Sequence, residues 1–148
     1  MLILLLALFQ APKAVDIQDL FKDDQLRVVA EKNAKGNAAR ISDVRRTVTA
    51  ERRALLGQWI SGYGTVHTVT QQGIKRSKGK VTGGEVNVTI EVMDGRTARR
   101  ISTQASTTES PGPVATFKKG DKVSFTGMLT AFTENAIVLK ETIYKVKP

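Results

Sequence analysis

The sequence predicts a mainly β protein, a small closed barrel of five strands that follows an N-terminal helical extension. The main observation is a change of pattern. After Gly57 the apolar residues stop recurring at helical spacing and begin to alternate with polar ones. Five alternating segments fit into the roughly ninety residues after Gly57, whereas a two-sheet sandwich usually has about seven strands or more. Closure into a barrel suits so small a sheet because it removes exposed strand edges.

The N-terminal residues have the pattern of an export signal. Residues 2–9 form an unbroken apolar run, which is too short for a membrane-spanning helix of ~20 residues but fits the ~7–15 apolar residues of a secretory signal. We therefore expect a signal peptide over residues 1–14 and an exported protein, periplasmic or secreted. The mature chain would start near Val15, without a transmembrane span. If the run is instead a buried strand or helix of the domain, the protein is cytoplasmic.

Two details of the N-terminus depart from the usual signal. No basic residue precedes the apolar run, and Pro12 lies where a small residue is usual before a cut after Ala14. The alternative of a retained N-terminus therefore stays open.

Residues 15–49 are predicted to form a helical or irregular extension. Ile17, Leu20 and Phe21 recur at helical spacing within it. The sequence leaves open whether this extension packs on the barrel.

A second helix is expected to begin after Thr49, whose hydroxyl can cap free backbone N–H groups. Glu51 in its first turn suits the positive end of the helix dipole. Gly57 is the residue type that most often follows the end of a helix. We therefore place the boundary here, with the barrel domain over residues 50–148.

Turn residues separate the five predicted strands. Asp94-Gly95 is typical of a two-residue hairpin because both residue types tolerate positive φ. Gly62 and Gly64 interrupt the first strand, as expected where a strand bends through both halves of a barrel. Residues 106–113 are predicted to form the one long loop. The predicted strands are Trp59 to Thr70, Glu85 to Met93, Thr97 to Gln104, Lys122 to Phe132 and Ala136 to Val146.

Two segments resemble a known family. Residues 50–66, AERRALLGQWISGYGTV, resemble the opening of the bacterial OB-fold domains called tRNA-anti-like, in which a short helix leads into a first strand of the type V-x-G-x-V. Residues 117–129, FKKGDKVSFTGML, are similar to the fourth strand of that family. The resemblance covers roughly residues 50–146. It implies a five-stranded OB-like Greek-key barrel in a protein that is often exported and mostly without an assigned role.

The chain departs from the usual OB plan in one respect. It has a loop rich in Ser, Thr and Pro where many such folds place a helix between the third and fourth strands. Any ligand site that such a helix would line is therefore not expected here.

The composition indicates binding rather than catalysis. The chain has no cysteine and a single histidine, His67, which excludes thiol nucleophiles, zinc–thiolate sites and motifs that need two histidines. Asp23 and Asp24 are adjacent on a predicted helix and so point apart, which does not suit paired catalytic carboxylates. We expect no enzymatic activity, no cofactor and no metal.

The positive charge lies mostly in the barrel. The whole chain has a formal net charge of +9, and from residue 58 onward 13 basic residues outnumber seven acidic ones. OB barrels that bind nucleic acid generally use the second and third strands and the neighbouring loops. The candidates for an anionic ligand are two residues of the first strand, four basic residues of the first loop and three near the second turn: Tyr63, His67, Lys75, Arg76, Lys78, Lys80, Arg96, Arg99 and Arg100.

The aromatic residues do not support this site strongly. The predicted second and third strands contain no Phe, Tyr or Trp, although single-strand binders stack bases on such rings. Trp59 and Phe125 are both expected to fill the barrel core.

Two functions remain open from the sequence. The first is an exported, non-enzymatic OB-fold module, binding or structural, that recognises an anionic envelope ligand or a protein partner. The alternative is a single-stranded nucleic-acid-binding protein that uses a basic face of the second and third strands and the first loop. The signal peptide distinguishes the two functions, because an exported protein rarely meets RNA.

Overall fold

The computed structural model describes residues 13–106 and 117–146. Residues 1–12 of the predicted signal peptide and residues 107–113 of the predicted loop lie outside the described residues. The elements are β1 Val15–Asp16, α1 Ile17–Ala34, α2 Ala38–Ala54, β2 Trp59–Ser77, β3 Lys80–Asp94, β4 Thr97–Ser106, β5 Lys122–Phe132 and β6 Ile137–Val146.

Strands β2 to β6 close into a five-stranded barrel with the connectivity of an OB fold. β2, β3 and β4 form an antiparallel meander, and β4 lies parallel to β6. β6 pairs antiparallel with β5, which pairs back on the first half of β2. The predicted fold class, a Greek-key barrel with a helical extension, is confirmed.

Closure depends on the bend in β2. Thr65 pairs with Lys122 of β5 and with Glu91 of β3, so β2 changes partner at this residue. A Cβ atom at Gly62 would lie 2.6 Å from Ile17 Cγ2, and one at Gly64 would lie 2.5 Å from the backbone oxygen of Glu91. The two glycines are thus needed because neighbouring atoms approach the backbone too closely for a side chain.

Helix α1 covers one end of the barrel. Its residues Ile17, Leu20 and Phe21 are buried in the same apolar cluster as the inward residues of the strands. Gln18 Nε2 donates to the backbone oxygen of Met93 at 2.8 Å. The extension therefore packs on the barrel, at the end where the β3–β4 turn lies.

Helix α2 begins earlier than the sequence predicted. It starts at Ala38, where the side chain of Asn37 accepts a hydrogen bond from Arg40 N at 3.1 Å. The prediction that Thr49 caps this helix is wrong, because Asn37 supplies the cap and Thr49 lies in the interior of the helix. The helix ends at Ala54, and Gly57 follows with φ +90°.

The predicted first loop is also wrong. β2 continues to Ser77 and β3 begins at Lys80. Residues 75–83 therefore form a two-stranded arm with a turn at Lys78-Gly79, called here the arm. The next turn is shifted by one residue from the prediction, because Asp94 pairs with Thr97 and leaves Gly95-Arg96 in the turn.

In the described part of the chain, no helix is long and apolar enough to cross a membrane.

Candidate functional site

The predicted site residues fall in three different places. The first is the arm, which contains the backbones of Lys75, Arg76 and Lys80 in its paired strands. Lys78 is exposed at its tip with φ +51°, a left-handed conformation that the tight turn requires. The arm is thus a basic extension of the meander.

The second place is the outward surface of the meander, called here the β2–β4 face, with His67, Thr89, Glu91, Arg100 and Ser102. Glu91 Oε1 lies 3.2 Å from His67 Nδ1 and 3.3 Å from Arg100 Nε. The carboxylate therefore brings two of the predicted residues together. Sequence reasoning missed Glu91, because the predicted Asp94-Gly95 turn places Ala98 opposite it, whereas the observed register pairs it with Arg100.

The β2–β4 face has no surplus of positive charge. Gln104 Nε2 donates to Glu85 at one end of it, and Glu91 engages Arg100 in its middle. Among the side chains that the structure describes on the outward side of β3 and β4, two carboxylates thus face one arginine. Arg99 and Arg100, whose relative orientation the sequence left open, do not face outward together.

The third place is the covered end of the barrel, which holds Arg99. Adjacent strand residues point to opposite faces, so Arg99 faces away from the outward Arg100. Its Nη1 lies 3.5 Å from Asp24 Oδ2, and its guanidinium lies 5.3 Å from the centre of the Phe21 ring. Arg99 thus binds α1 to the barrel, while Arg96 is exposed in the turn.

Asp24 is the centre of this group of charges. Arg52 Nε donates to Asp24 Oδ1 at 2.9 Å, and Arg27 Nη1 lies 3.7 Å from the same oxygen. A buried carboxylate is stable only with such partners. Asp23 is exposed, so the two acidic residues point apart as expected. The Asp24 network, as we call it, consists of Asp24, Arg27, Arg52, Arg99, Glu51 and Asp94.

The outward surface of β2, β5 and β6 differs from the β2–β4 face because it carries lysines and aromatic side chains. We call it the aromatic–lysine face and define it by Trp59, Tyr63, Lys122, Lys140, Ile143 and Lys145. Across the three strands Trp59 pairs with Met128 and Met128 with Lys140, and Tyr63 pairs with Ser124 and Ser124 with Lys145. Each aromatic residue thus shares a row of the sheet with a lysine.

The placement of Trp59 corrects the prediction that it fills the core. Ile60 is fully buried and takes the inward position, so Trp59 is turned outward and only half-buried. Phe125, which is 2% exposed, lies in the core as expected. The apolar character of Trp59 did not reveal which of two neighbouring residues points inward.

A bulge in β6 helps to form this face. Between the pairs Met128–Lys140 and Thr126–Ile143, β6 has one residue more than β5. Glu141 takes the extra place with φ +52°. Because of this bulge, both Lys140 and Ile143 point outward, and Ile143 is 63% exposed.

Two shallow grooves cross the aromatic–lysine face and share Ile143. One has a volume of about 700 Å³ and is lined by Ser61, Tyr63, Thr126 and Lys145 among others. The other has a volume of about 1030 Å³ and includes Trp59 and Lys140 in its lining. Tyr63 is 41% exposed beside the first groove.

Tyr144 lies beneath this face and faces inward. Its hydroxyl lies 2.6 Å from Thr103 Oγ1, and its ring packs edge-on against Phe117 with centroids 5.6 Å apart. Burial raises the pKa of Tyr144 to about 12, against the opposing effect of its hydrogen bonds to Thr103 and Thr142.

The described residues contain no group of three or more His, Cys, Asp or Glu side chains arranged to hold a metal ion. The charged clusters among these residues are instead built on ion pairs between arginines and carboxylates.

No protein-family model matches the sequence, and no curated protein matches it. Among solved structures, the chain is similar to a lipoprotein of Klebsiella pneumoniae subsp. pneumoniae MGH 78578 that is named a "putative nucleic acid-binding lipoprotein". The TM-score is 0.49 and the identity 13%, over 67% of this chain and 76% of the other. The fold assignment rests on the strand order given above, and membership of the tRNA-anti-like family stays a prediction.

Proposed function

We propose that this protein is a non-enzymatic OB-like binding module whose ligand is anionic. The observation that carries the proposal is the distribution of charge. The Asp24 network contains three arginines and three carboxylates and is neutral. The formal charge of +9 therefore belongs to the residues outside it.

Such a surplus acts on ligands at a distance. Surface charges of one sign raise the local concentration of oppositely charged ligands and speed their association. Salt screens the attraction over roughly 8–10 Å near physiological ionic strength. Binding that weakens steeply with salt is therefore the expected signature.

The barrel offers two basic surfaces for the ligand. One is the arm with Lys78 at its tip, and the other is the aromatic–lysine face with its three lysines. The β2–β4 face is the weaker candidate, because Glu91 already engages Arg100 and His67.

The second candidate function is binding of single-stranded nucleic acid. The specific observation in its favour is that Trp59 and Tyr63 both point outward beside lysines. This supplies the stacking surface that the second and third predicted strands lack.

We propose export with loss of residues 1–14 only together with the first candidate function; binding of single-stranded nucleic acid requires a retained N-terminus, because an exported protein rarely meets RNA. The support is the apolar run of the sequence. The N-terminal mass of the protein from the envelope of its native cell tests this, with Val15 as the expected first residue. An intact Met1 in the cytoplasm would overturn export and leave the binding proposal standing.

Binding itself is tested with a panel of probes on the purified chain. The probes are a labelled single-stranded oligonucleotide, heparin, and vesicles with and without phosphatidylglycerol. We expect at least one anionic probe to bind at low salt and to dissociate as salt rises, and neutral vesicles not to bind. Absence of binding to every anionic probe at low salt contradicts the proposed function.

A further inference from the structure

We propose that the aromatic–lysine face is a binding site for single-stranded nucleic acid, with bases stacked on Trp59 and Tyr63. This inference rests on the proposed function, since it requires an anionic ligand, and it names the ligand class and the site. It differs from the usual placement of OB-fold ligands on the second and third strands.

The two rings are arranged as a stacking surface. Trp59 and Tyr63 are four residues apart on β2 and both point outward. At ~3.3 Å per strand residue their Cα atoms are about 13 Å apart. Ser61 lies between them on the same side, so no large side chain of β2 separates the two rings.

The lysines are placed to contact a phosphate backbone. Lys140 lies in the row of Trp59, Lys145 in the row of Tyr63, and Lys122 pairs with Thr65 one row further. Within a row, the Cα atom of the lysine lies two strands, or about 10 Å, from the Cα atom of the aromatic residue. The long lysine side chain can bring its ammonium group closer to the ring than that. The phosphate backbone would then run alongside the rings.

Few carboxylates border this face. In β2, β5 and β6 the one acidic side chain that the structure describes is Glu141. Glu85 of β3 also lines the groove of Trp59 and Lys140, where it accepts a hydrogen bond from Gln104 Nε2. At the margin, Asp16 already accepts a hydrogen bond from Gln18 N at 2.8 Å. Glu91 is engaged by His67 and Arg100.

The floor between the rings carries hydroxyl groups. Ser61 pairs with Thr126, and Ser124 pairs with Tyr63, so three short hydroxyl side chains lie in adjacent rows. Hydroxyls of this kind contact phosphates and sugars and carry little sequence information. We therefore infer a site that binds single strands without strong sequence preference.

The composition of the site favours a nucleic acid over an acidic polysaccharide or a lipid surface. Every base has a flat face that stacks on an aromatic ring, and here two rings are each accompanied by a lysine. A bilayer surface would require a larger apolar area than the exposed Ile143 and Tyr63 provide.

Trp59 makes the test direct, because it is the one tryptophan of the chain. Titration with a 12-nucleotide single strand of thymidine should quench its fluorescence, and salt should reverse the quenching. An equal titration with the matching duplex should quench less, since paired bases are not free to stack.

Variants then locate the site by fluorescence anisotropy of a labelled strand. Loss of one stacked base corresponds to about 5- to 150-fold weaker binding, which is the expected effect of Tyr63→Ala. Trp59→Phe should retain most of the affinity because it keeps a ring. Lys145→Gln should make the slope of log K against log salt less steep by about 0.7.

Matched controls lie on other surfaces. Arg100→Gln removes a comparably exposed cation from the β2–β4 face, and Leu26→Ala removes an exposed apolar side chain from α1. Both should leave the affinity within about twofold of the unsubstituted protein. Neither Arg100 nor Leu26 lines the two grooves, and Glu91, at the edge of the Tyr63 groove, keeps its contact with His67 when Arg100 is replaced.

The outcomes separate the inference from the proposed function. If Arg100→Gln weakens binding while Tyr63→Ala and Lys145→Gln do not, the aromatic–lysine face is the wrong site and the proposed function stands. If heparin binds and the oligonucleotide does not, the ligand class is wrong. If no anionic probe binds, the proposed function itself fails.

Discussion

Arg52 Nε donates a 2.9 Å hydrogen bond to Asp24 Oδ1, and both side chains are almost completely buried. This pair joins α2 to α1. Arg99 of β4 forms an ion pair with the same carboxylate, so the barrel is joined to both helices. The helical extension is therefore attached to the barrel by charge as well as by the apolar contacts of Ile17 and Phe21.

Replacing Asp24 should destabilise the protein strongly. Asp24→Asn leaves the guanidinium of Arg52 buried without its counter-charge, and removal of one partner of a buried pair typically costs about 3–5 kcal/mol. The exposed neighbour provides the control, since Asp23→Asn should change the stability by less than about 0.5 kcal/mol. Urea unfolding of both variants measures the change in the free energy of unfolding. Equal effects of the two variants would contradict the network.

The start of α2 can be tested with two variants, one at the observed cap Asn37 and one at the predicted cap Thr49. Asn37→Ala removes the side chain that accepts from Arg40 N, and loss of such a cap typically costs about 1 kcal/mol. Thr49→Ala, in the helix interior, should have little effect or stabilise the helix slightly, because alanine has the higher helix propensity. Urea unfolding of both variants distinguishes the observed start from the one predicted by the sequence, which requires the reverse order.

Tyr144 should make stability fall at high pH. Its folded pKa of about 12 exceeds the ordinary value of 10.0 because burial disfavours the phenolate. The unfolded chain therefore loses the proton first, and this contribution is complete below pH 10 and is lost as pH rises towards 12.

The measurement for Tyr144 is a difference between two proteins. Unfolding free energies of the unsubstituted chain and of Tyr144→Phe, taken across pH 9 to 12, should converge as pH rises and then cross, because phenylalanine has no proton to lose. At neutral pH the variant should be less stable by about 1 kcal/mol, since it lacks the hydrogen bond to Thr103. Parallel curves would show that Tyr144 does not titrate abnormally.

Arg99 and Arg100 should differ in their effects, although they are adjacent. Arg99→Ala removes the contacts with Asp24 and the Phe21 ring and should cost about 1–3 kcal/mol. Arg100→Ala removes an exposed pair with Glu91 and should cost at most about 1 kcal/mol. Thermal unfolding of the two variants gives the comparison, and a larger loss for Arg100 would refute the orientation of β4.

Much of the barrel was predictable from local sequence. β5 runs from Lys122 to Phe132 as predicted, because its alternation is regular and turn residues flank it. Gly62 and Gly64 indicated the bend in β2 before any contact was known, since a strand that changes partner needs room for the neighbouring backbone. These features depend on residues close together in the chain.

The remaining features depend on residues far apart. Asp24 and Arg99 are separated by 75 positions, and no local pattern announces that they meet. Trp59 lies at the first position of its strand, where alternation does not yet fix which residue points inward. The candidate site accordingly moved from the β2–β4 face to a face that pairs β2 with β5 and β6, which only the barrel closure brings together.

The central claim is that an anionic ligand binds the outward face of β2, β5 and β6. Backbone amide shifts in a ¹⁵N–¹H NMR titration with the single-stranded thymidine oligonucleotide test it most directly. We expect the largest shifts on residues 59–65, 122–128 and 140–145, and we expect salt to abolish them. Shifts concentrated on β3 and β4 around Glu91 and Arg100 would contradict it.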